Sequence, residues 1–178
     1  LTPSLASLLY LFSISYSNDY LNVFKILKDS GIPLRRENRI KYKCPVLGAG
    51  GTAVYMNPEP LAPALDFFFL GEGELFADFF LNLVDKNPDS VKSRENFLQS
   101  ISSFEGVYIP EEVSIEFNED KSIKSFKFMY PSNKIRRAFV HDLNSFSTYS
   151  TLFSREAEFG SIFMEEISRG CSRGCRFC

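Results

Sequence analysis

Asp66-Phe67-Phe68-Phe69-Leu70-Gly71-Glu72-Gly73-Glu74 sets four consecutive apolar residues between a carboxylate and a glycine-punctuated acidic turn. An uninterrupted apolar run is what a strand covered on both faces requires, because neither side of its pleat meets water. The run ends where Gly71 and Gly73 let the backbone turn. Phe76, Phe79, Phe80 and Leu83 then recur on one helical face, as far as Asn87-Pro88.

The same grain extends upstream. Leu8 to Tyr16 is an aromatic, apolar run that ends in Ser17-Asn18-Asp19, residues suited to a helix N-cap. Tyr20, Val23, Phe24 and Leu27 follow at i, i+3, i+4 and i+7, and Gly31 with Pro33 stops that helix. After a basic, polar stretch from Leu34 to Lys43, Cys44-Pro45-Val46-Leu47 reads as a short buried strand running into a loop, Gly48-Ala49-Gly50-Gly51. Asn57-Pro58-Glu59-Pro60 opens a turn or short helix through Leu65.

Three strand-like runs separated by helical segments predict an α/β fold: a Rossmann-like parallel sheet with flanking helices and glycine-rich loops at the carboxyl ends of its strands. That edge is where such sheets bind ligands, so Gly50, Gly51, Gly71 and Glu72 are candidate cofactor-binding residues. Each has a plainer alternative. Gly48 to Gly51 either cradle a phosphate or form an ordinary strand-to-loop turn, and the chain has neither G-x-G-x-x-G nor a P-loop lysine. Glu72 and Glu74 either face a ligand or are acids favoured by a helix N-terminus.

A further helix is expected from about Ser90 to Phe104, with Phe97, Leu98 and Ile101 inward. From Val107 the texture changes. Val113, Ile115 and Phe117 alternate with polar residues, Asn118 to Ser122 form a turn, and Phe126 and Phe128 alternate again, which predicts a β-hairpin with one solvated face. A boundary is expected near residue 105, dividing the chain into an α/β domain over 1–104, a β-rich connector over 105–160 with little regular structure after Pro131, and a last segment over 161–178. In that segment Ile162 to Ser168 reads as a short strand that delivers Arg169-Gly170 onto a cysteine-bearing loop.

Across its 178 residues the chain is 44% hydrophobic and 24% charged, the balance of a globular protein rather than a disordered tail. Its 20 basic and 22 acidic residues give no overall pull toward nucleic acid. Arg169, Arg173 and Arg176 make one local basic patch, interleaved with cysteines and serving their loop. The apolar run at the start lacks a basic leader and is too short to span a bilayer, so a buried strand is expected and no membrane association. No initiator Met stands at position 1, so residues preceding Leu1 are expected. Four cysteines, three of them within eight residues, are no disulfide framework in a chain of this size, and a reducing cytoplasm is the expected setting.

Those three, in Cys171-Ser172-Arg173-Gly174-Cys175-Arg176-Phe177-Cys178, have the form C-x3-C-x2-C. Closely spaced thiolates on a glycine-containing loop can wrap one iron–sulfur cluster, and three ligands leave one iron open. A structural zinc site would want a fourth ligand, for which Cys44 or His141 is available, and is usually written as paired C-x2-C halves. In that alternative the chain is a non-catalytic ligand- or partner-binding α/β module. Cys44 otherwise reads as an inert buried hydrophobe, and His141 beside Asp142 as a structural or solvated pair.

The stretch from Met164 to Cys178 resembles the opening strand and cluster loop of radical S-adenosylmethionine (radical SAM) enzymes. The wording of residues 165–178, EEISRGCSRGCRFC, carries the resemblance, including the aromatic residue before the last cysteine. Ser15-Tyr16 with Leu21-Asn22, Ser30 to Leu34, Gly50-Gly51, Asn57 to Pro60 and Gly71 to Glu74 are similar to the N-terminal, cobalamin-binding-like domain of one radical SAM branch. Nearly the whole chain is covered.

The resemblance implies a [4Fe-4S] cluster held by Cys171, Cys175 and Cys178, with S-adenosylmethionine chelating the open iron. Electron transfer from a donor such as a reduced flavodoxin or ferredoxin would split the sulfonium and yield a 5'-deoxyadenosyl radical that abstracts hydrogen from a substrate of unknown identity. It also implies that Phe177 lies near the adenine, that Gly170 and Gly174 let the loop turn, and that residues 161–178 are the first strand of a barrel continuing beyond Cys178. In cobalamin-binding relatives a D-x-H-x-x-G histidine can ligate cobalt. The sole histidine here, His141, stands outside any such motif, so cobalamin would have to bind without it. Without the remaining barrel strands the cysteine loop is expected to lack its support.

Overall fold

The computed structural model describes residues 9–39, 44–129, 135–151, 153–156 and 160–176. The chain divides into two compact units, residues 1–139 and 140–178.

In the first unit the predicted sheet is present. β1 (Leu9–Ser13), β2 (Val46–Gly50) and β3 (Phe67–Phe69) pair in parallel, and β4 (Val107–Tyr108) joins β3 antiparallel, in the order β1-β2-β3-β4. Because side chains alternate along a strand, β2 and β3 supply two cores at once. Leu47, Ala49 and Phe68 face one layer with Tyr20, Val23 and Leu27 of α1 (Asp19–Asp29). Val46, Phe67 and Phe69 face the other, with Phe76 of α4 (Gly73–Lys86) and Phe97, Leu98 and Ile101 of α5 (Arg94–Ile101). The Phe triplet is buried on both faces, as its unbroken apolar run predicts. Each such side chain contributes on the order of 1.5–3 kcal/mol of burial.

Local details depart from the sequence expectation. The strand read as Cys44 to Leu47 starts later and runs through the glycines to Gly50. Gly48 is a strand residue because the Phe67 ring lies across it: a Cβ there would stand 2.3 Å from Phe67 Cζ. Asn18 precedes α1 without a side-chain cap, and turn bonds from the Asp19 and Tyr20 N–H groups to Tyr16 and Ser17 carbonyls do that work. The helix expected over 90–104 is split into a 3-10 turn, Pro88–Val91, and α5, because Ser93 is extended and its hydroxyl caps the Asn96 N–H. The basic stretch contains a short helix, α2 (Arg36–Arg39), that polarity alone did not suggest. Part of it, 40–43, lies outside the described residues.

β4 carries the sheet past residue 105, and Val107, Ile109 and Ala138 lie in the second core. The hairpin follows as expected, β5 (Val113–Phe117) with β6 (Ile123–Phe128), joined through a turn with Lys121 at φ +66°.

In the second unit, the stretch read as a short strand pairs at one place: Tyr149 stands antiparallel to Glu165. The Ser150 N–H donates to the Met164 carbonyl at 2.9 Å, and the Glu166 N–H to that of Thr148 at 2.7 Å. Ile162, Phe163, Met164 and Ile167 are exposed. Among the described residues no helix is long and apolar enough to cross a membrane.

Candidate functional site

The carboxyl edge of the parallel strands bears a cleft of about 480 Å³. Ser13 ends β1 there, Gly50 and Gly51 follow β2, Gly71 and Gly73 follow β3, and Leu11, Phe69, Phe76, Phe80 and Leu81 form its apolar walls. Three of the four cofactor-binding candidates, Gly50, Gly51 and Gly71, are thus brought together. Glu72 is not among the lining residues. It is the N-cap residue of α4, mostly buried, with Arg137 Nη2 at 3.7 Å from its carboxylate, while Glu74 sits in the first turn of the helix.

Packing explains two of these glycines. Gly51 has φ +105°, and a Cβ on it would stand 2.5 Å from the Ile14 carbonyl oxygen. At Gly71 a Cβ would stand 2.4 Å from the Ala138 carbonyl oxygen, where the two backbones form a parallel bridge. A phosphate cradle is not supported. The helix after Gly51, α3 (Thr52–Met56), is a single turn, and the lining carries no Lys or Arg. Nor does the lining offer a histidine to cobalt, so a histidine-ligated cobalamin does not fit it.

The opposite edge holds a charged cluster that the sequence reading missed. Asp66, buried just before β3, accepts hydrogen bonds from the Leu47 N–H at 2.8 Å, from Arg39 at 3.3 Å and from Arg94 at 3.2 Å. Burial pulls the Arg39 guanidinium below its ordinary range, and the Asp66 charge opposes that. Asp66 is therefore a tie between α2, α5 and the sheet. The carboxylate abutting an apolar run and the arginines of the basic stretch were both visible, but their pairing across 27 residues was not. Cys44, half-buried, borders a small apolar pocket with Leu9, Val46, Phe80 and Phe97, consistent with its plain reading.

In the second unit Cys171 and Cys175 are free and exposed. Phe177 and Cys178 lie outside the described residues. The loop turns at Gly170, φ +82°, and Gly174, φ +60°, backbone that glycine adopts without strain. The Arg173 N–H donates to Cys171 Sγ at 3.4 Å. Just upstream Arg169 grips Glu166, Nε to Oε1 at 2.7 Å and Nη2 to Oε2 at 2.9 Å. The hydrogen bond from Arg169 holds the Glu166 carboxyl below its usual range. His141 is exposed in the same unit. Among the described residues no cluster of three or more metal-ligating side chains is assembled. The donors present still fit an iron–sulfur group: soft, accessible thiols on a glycine-turned loop, with a backbone N–H aimed at sulfur.

Comparison with known proteins adds the lineage. Residues 6–110 match the family described as radical SAM proteins, N-terminal, a match that ends before the cysteine loop. The chain is 31% identical over 166 residues to a protein of Methanocaldococcus jannaschii described as uncharacterized, covering 93% of this chain and 28% of that protein. The chain thus spans under a third of the length of this relative. No solved structure matches. A parallel sheet with a glycine-bordered cleft, matched over most of its length by that family, means that this chain belongs to the radical SAM proteins, as an N-terminal region.

Proposed function

We propose that this chain is the N-terminal part of an enzyme that binds a [4Fe-4S] cluster and reductively cleaves S-adenosylmethionine to start radical chemistry on a substrate still to be identified. The observation that carries the reading is the C-x3-C-x2-C loop, turned by two left-handed glycines and preceded in the same chain by a radical SAM N-terminal region. Cys171, Cys175 and Cys178 would hold the cluster, which when bound supplies the electron that breaks a carbon–sulfur bond of the sulfonium.

The chain's own residues do the positioning. Gly170 and Gly174 reverse the backbone so that the thiols can converge, and the Arg173 N–H, donating to Cys171 Sγ, orients that sulfur within the turn. The Arg169–Glu166 grip fixes the turn from the extended segment into the loop. Phe177, by family resemblance, would pack near the adenine. Gly50, Gly51 and Gly71 border a cleft suited to an apolar group rather than a phosphate.

Anaerobic reconstitution of the full-length protein with iron and sulfide tests the assignment. About four irons and four sulfides per chain, lost in Cys171→Ala, Cys175→Ala and Cys178→Ala variants, are expected for a three-cysteine cubane. One zinc per chain and no iron would identify the structural-metal module instead.

A further inference from the structure

The cleft at the carboxyl edge is lined by residues between 11 and 81, inside the first unit and inside the stretch that the family match covers. Packing accounts for Gly48, Gly51 and Gly71, and two nearby glycines are left over. Gly50 shares a sheet face with Gly48, the face on which the Phe67 ring lies, because side chains alternate along β2. A Cβ on Gly50 would meet nothing closer than the Phe69 carbonyl oxygen at 3.5 Å, an ordinary contact. Gly73 opens α4, where almost any other residue is a better helix former, and a Cβ on it would meet nothing within 4 Å. Neither glycine has a left-handed φ. Backbone and packing therefore admit a side chain at both positions, and both line the cleft. What their bareness preserves is its volume of about 480 Å³, inside the range of roughly 300–1,000 Å³ found for small-molecule sites.

The walls select the chemistry of the occupant. Among the described residues no lining side chain is charged, so a charge on the ligand would be desolvated without a partner. Three lining rings share an orientation: Phe69 and Phe76 have centroids 5.0 Å apart at 30°, and Phe76 and Phe80 have centroids 6.3 Å apart at 17°. An alkyl chain gains nothing from rings that share a direction, whereas a flat ring can stack on them. We propose that the cleft binds an uncharged, planar aromatic molecule, held against these phenyl rings in the space that Gly50 and Gly73 leave bare. The inference rests on the reading of the cleft as a site for an apolar group, and it is independent of the cluster.

The test uses the full-length protein and the neutral fluorescent probe N-phenyl-1-naphthylamine, with wild type, Gly50→Val and Gly73→Leu. Asp78→Leu, on α4 but outside the lining, is the control. Saturable binding to wild type is expected, about tenfold weaker in each filled variant and unchanged in Asp78→Leu. Gly73→Leu is expected to unfold at or above the wild-type temperature, because a better helix former replaces glycine, so its weaker binding is not a loss of fold. The neutral competitor 2-naphthol is expected to displace the probe at about tenfold lower concentration than its saturated, non-planar counterpart decahydro-2-naphthol. Equal displacement by the two would overturn the aromatic assignment, and unweakened binding in both filled variants would overturn the site. Hydroxocobalamin displacing the probe more effectively than 2-naphthol would give the cleft to a corrin and overturn the proposal as well. Wild-type protein that takes up no iron yet binds the probe as described would sink the cluster reading and leave the cleft standing, and protein that takes up iron but binds no probe would do the reverse.

Discussion

Single residues carry the sharpest expectations. Asp66 neutralises Arg39 in a site where both side chains are almost fully buried, so Asp66→Ala leaves a cation without its partner. That is expected to destabilise the first unit by about 3–5 kcal/mol, read as a drop in the denaturant midpoint at unchanged slope. Gly48→Ala pushes a methyl into the Phe67 ring, and overpacking of this kind costs about 1–3 kcal/mol in the same assay. Glu166 and Arg169 behave differently, because they are surface groups that shape a loop. Glu166→Gln is expected to leave the unfolding curve in place and to lower iron uptake, and the exchange Glu166→Arg/Arg169→Glu to recover part of it. Uptake unchanged in Glu166→Gln would show that the grip does not position the thiols.

At the scale of elements, Tyr108 of β4 shows how a strand is pinned from its edge. Its ring stacks on Phe68 and its hydroxyl donates to Glu59 Oε1 at 2.5 Å, joining β4 to the 3-10 turn at Glu59–Leu61. Burial, then the Glu59 carboxylate, pushes the Tyr108 hydroxyl above its ordinary range. A folded-state value above the unfolded one means stability that is complete below about pH 10 and lost as the pH climbs through the raised value. Thermal unfolding followed between neutral and strongly alkaline pH is expected to show that loss, and Tyr108→Phe to flatten it. The elements were legible where one signal dominated: the Phe67–Leu70 run for β3, the stripe of Tyr20, Val23 and Leu27 for α1, the alternation of Val113 to Phe128 for the hairpin. They were misread where a glycine or a polar residue served packing. Gly48 looked like loop because only the Phe67 ring explains it, and α2 was hidden because the burial of Arg39 depends on its pairing with the distant Asp66.

For the whole molecule, the lineage rests on residues 6–110 and the chemistry on residues 171–178, so the two halves of the account are independent. The fold class was readable because it follows from periodicity. Of the site, the thiol spacing was readable, whereas the role of Gly51 and Gly71 was not, since their close contacts with Ile14 and Ala138 are made by distant backbone. The cleft they border is open and apolar, and no local motif in the sequence announced it. The measurement that bears most directly on the central claim is product analysis of the full-length protein, purified without oxygen, loaded with iron and sulfide and given S-adenosylmethionine and dithionite. The account predicts methionine and 5'-deoxyadenosine, formed together and abolished by Cys175→Ala. Iron-loaded protein that leaves S-adenosylmethionine intact under these conditions would contradict it.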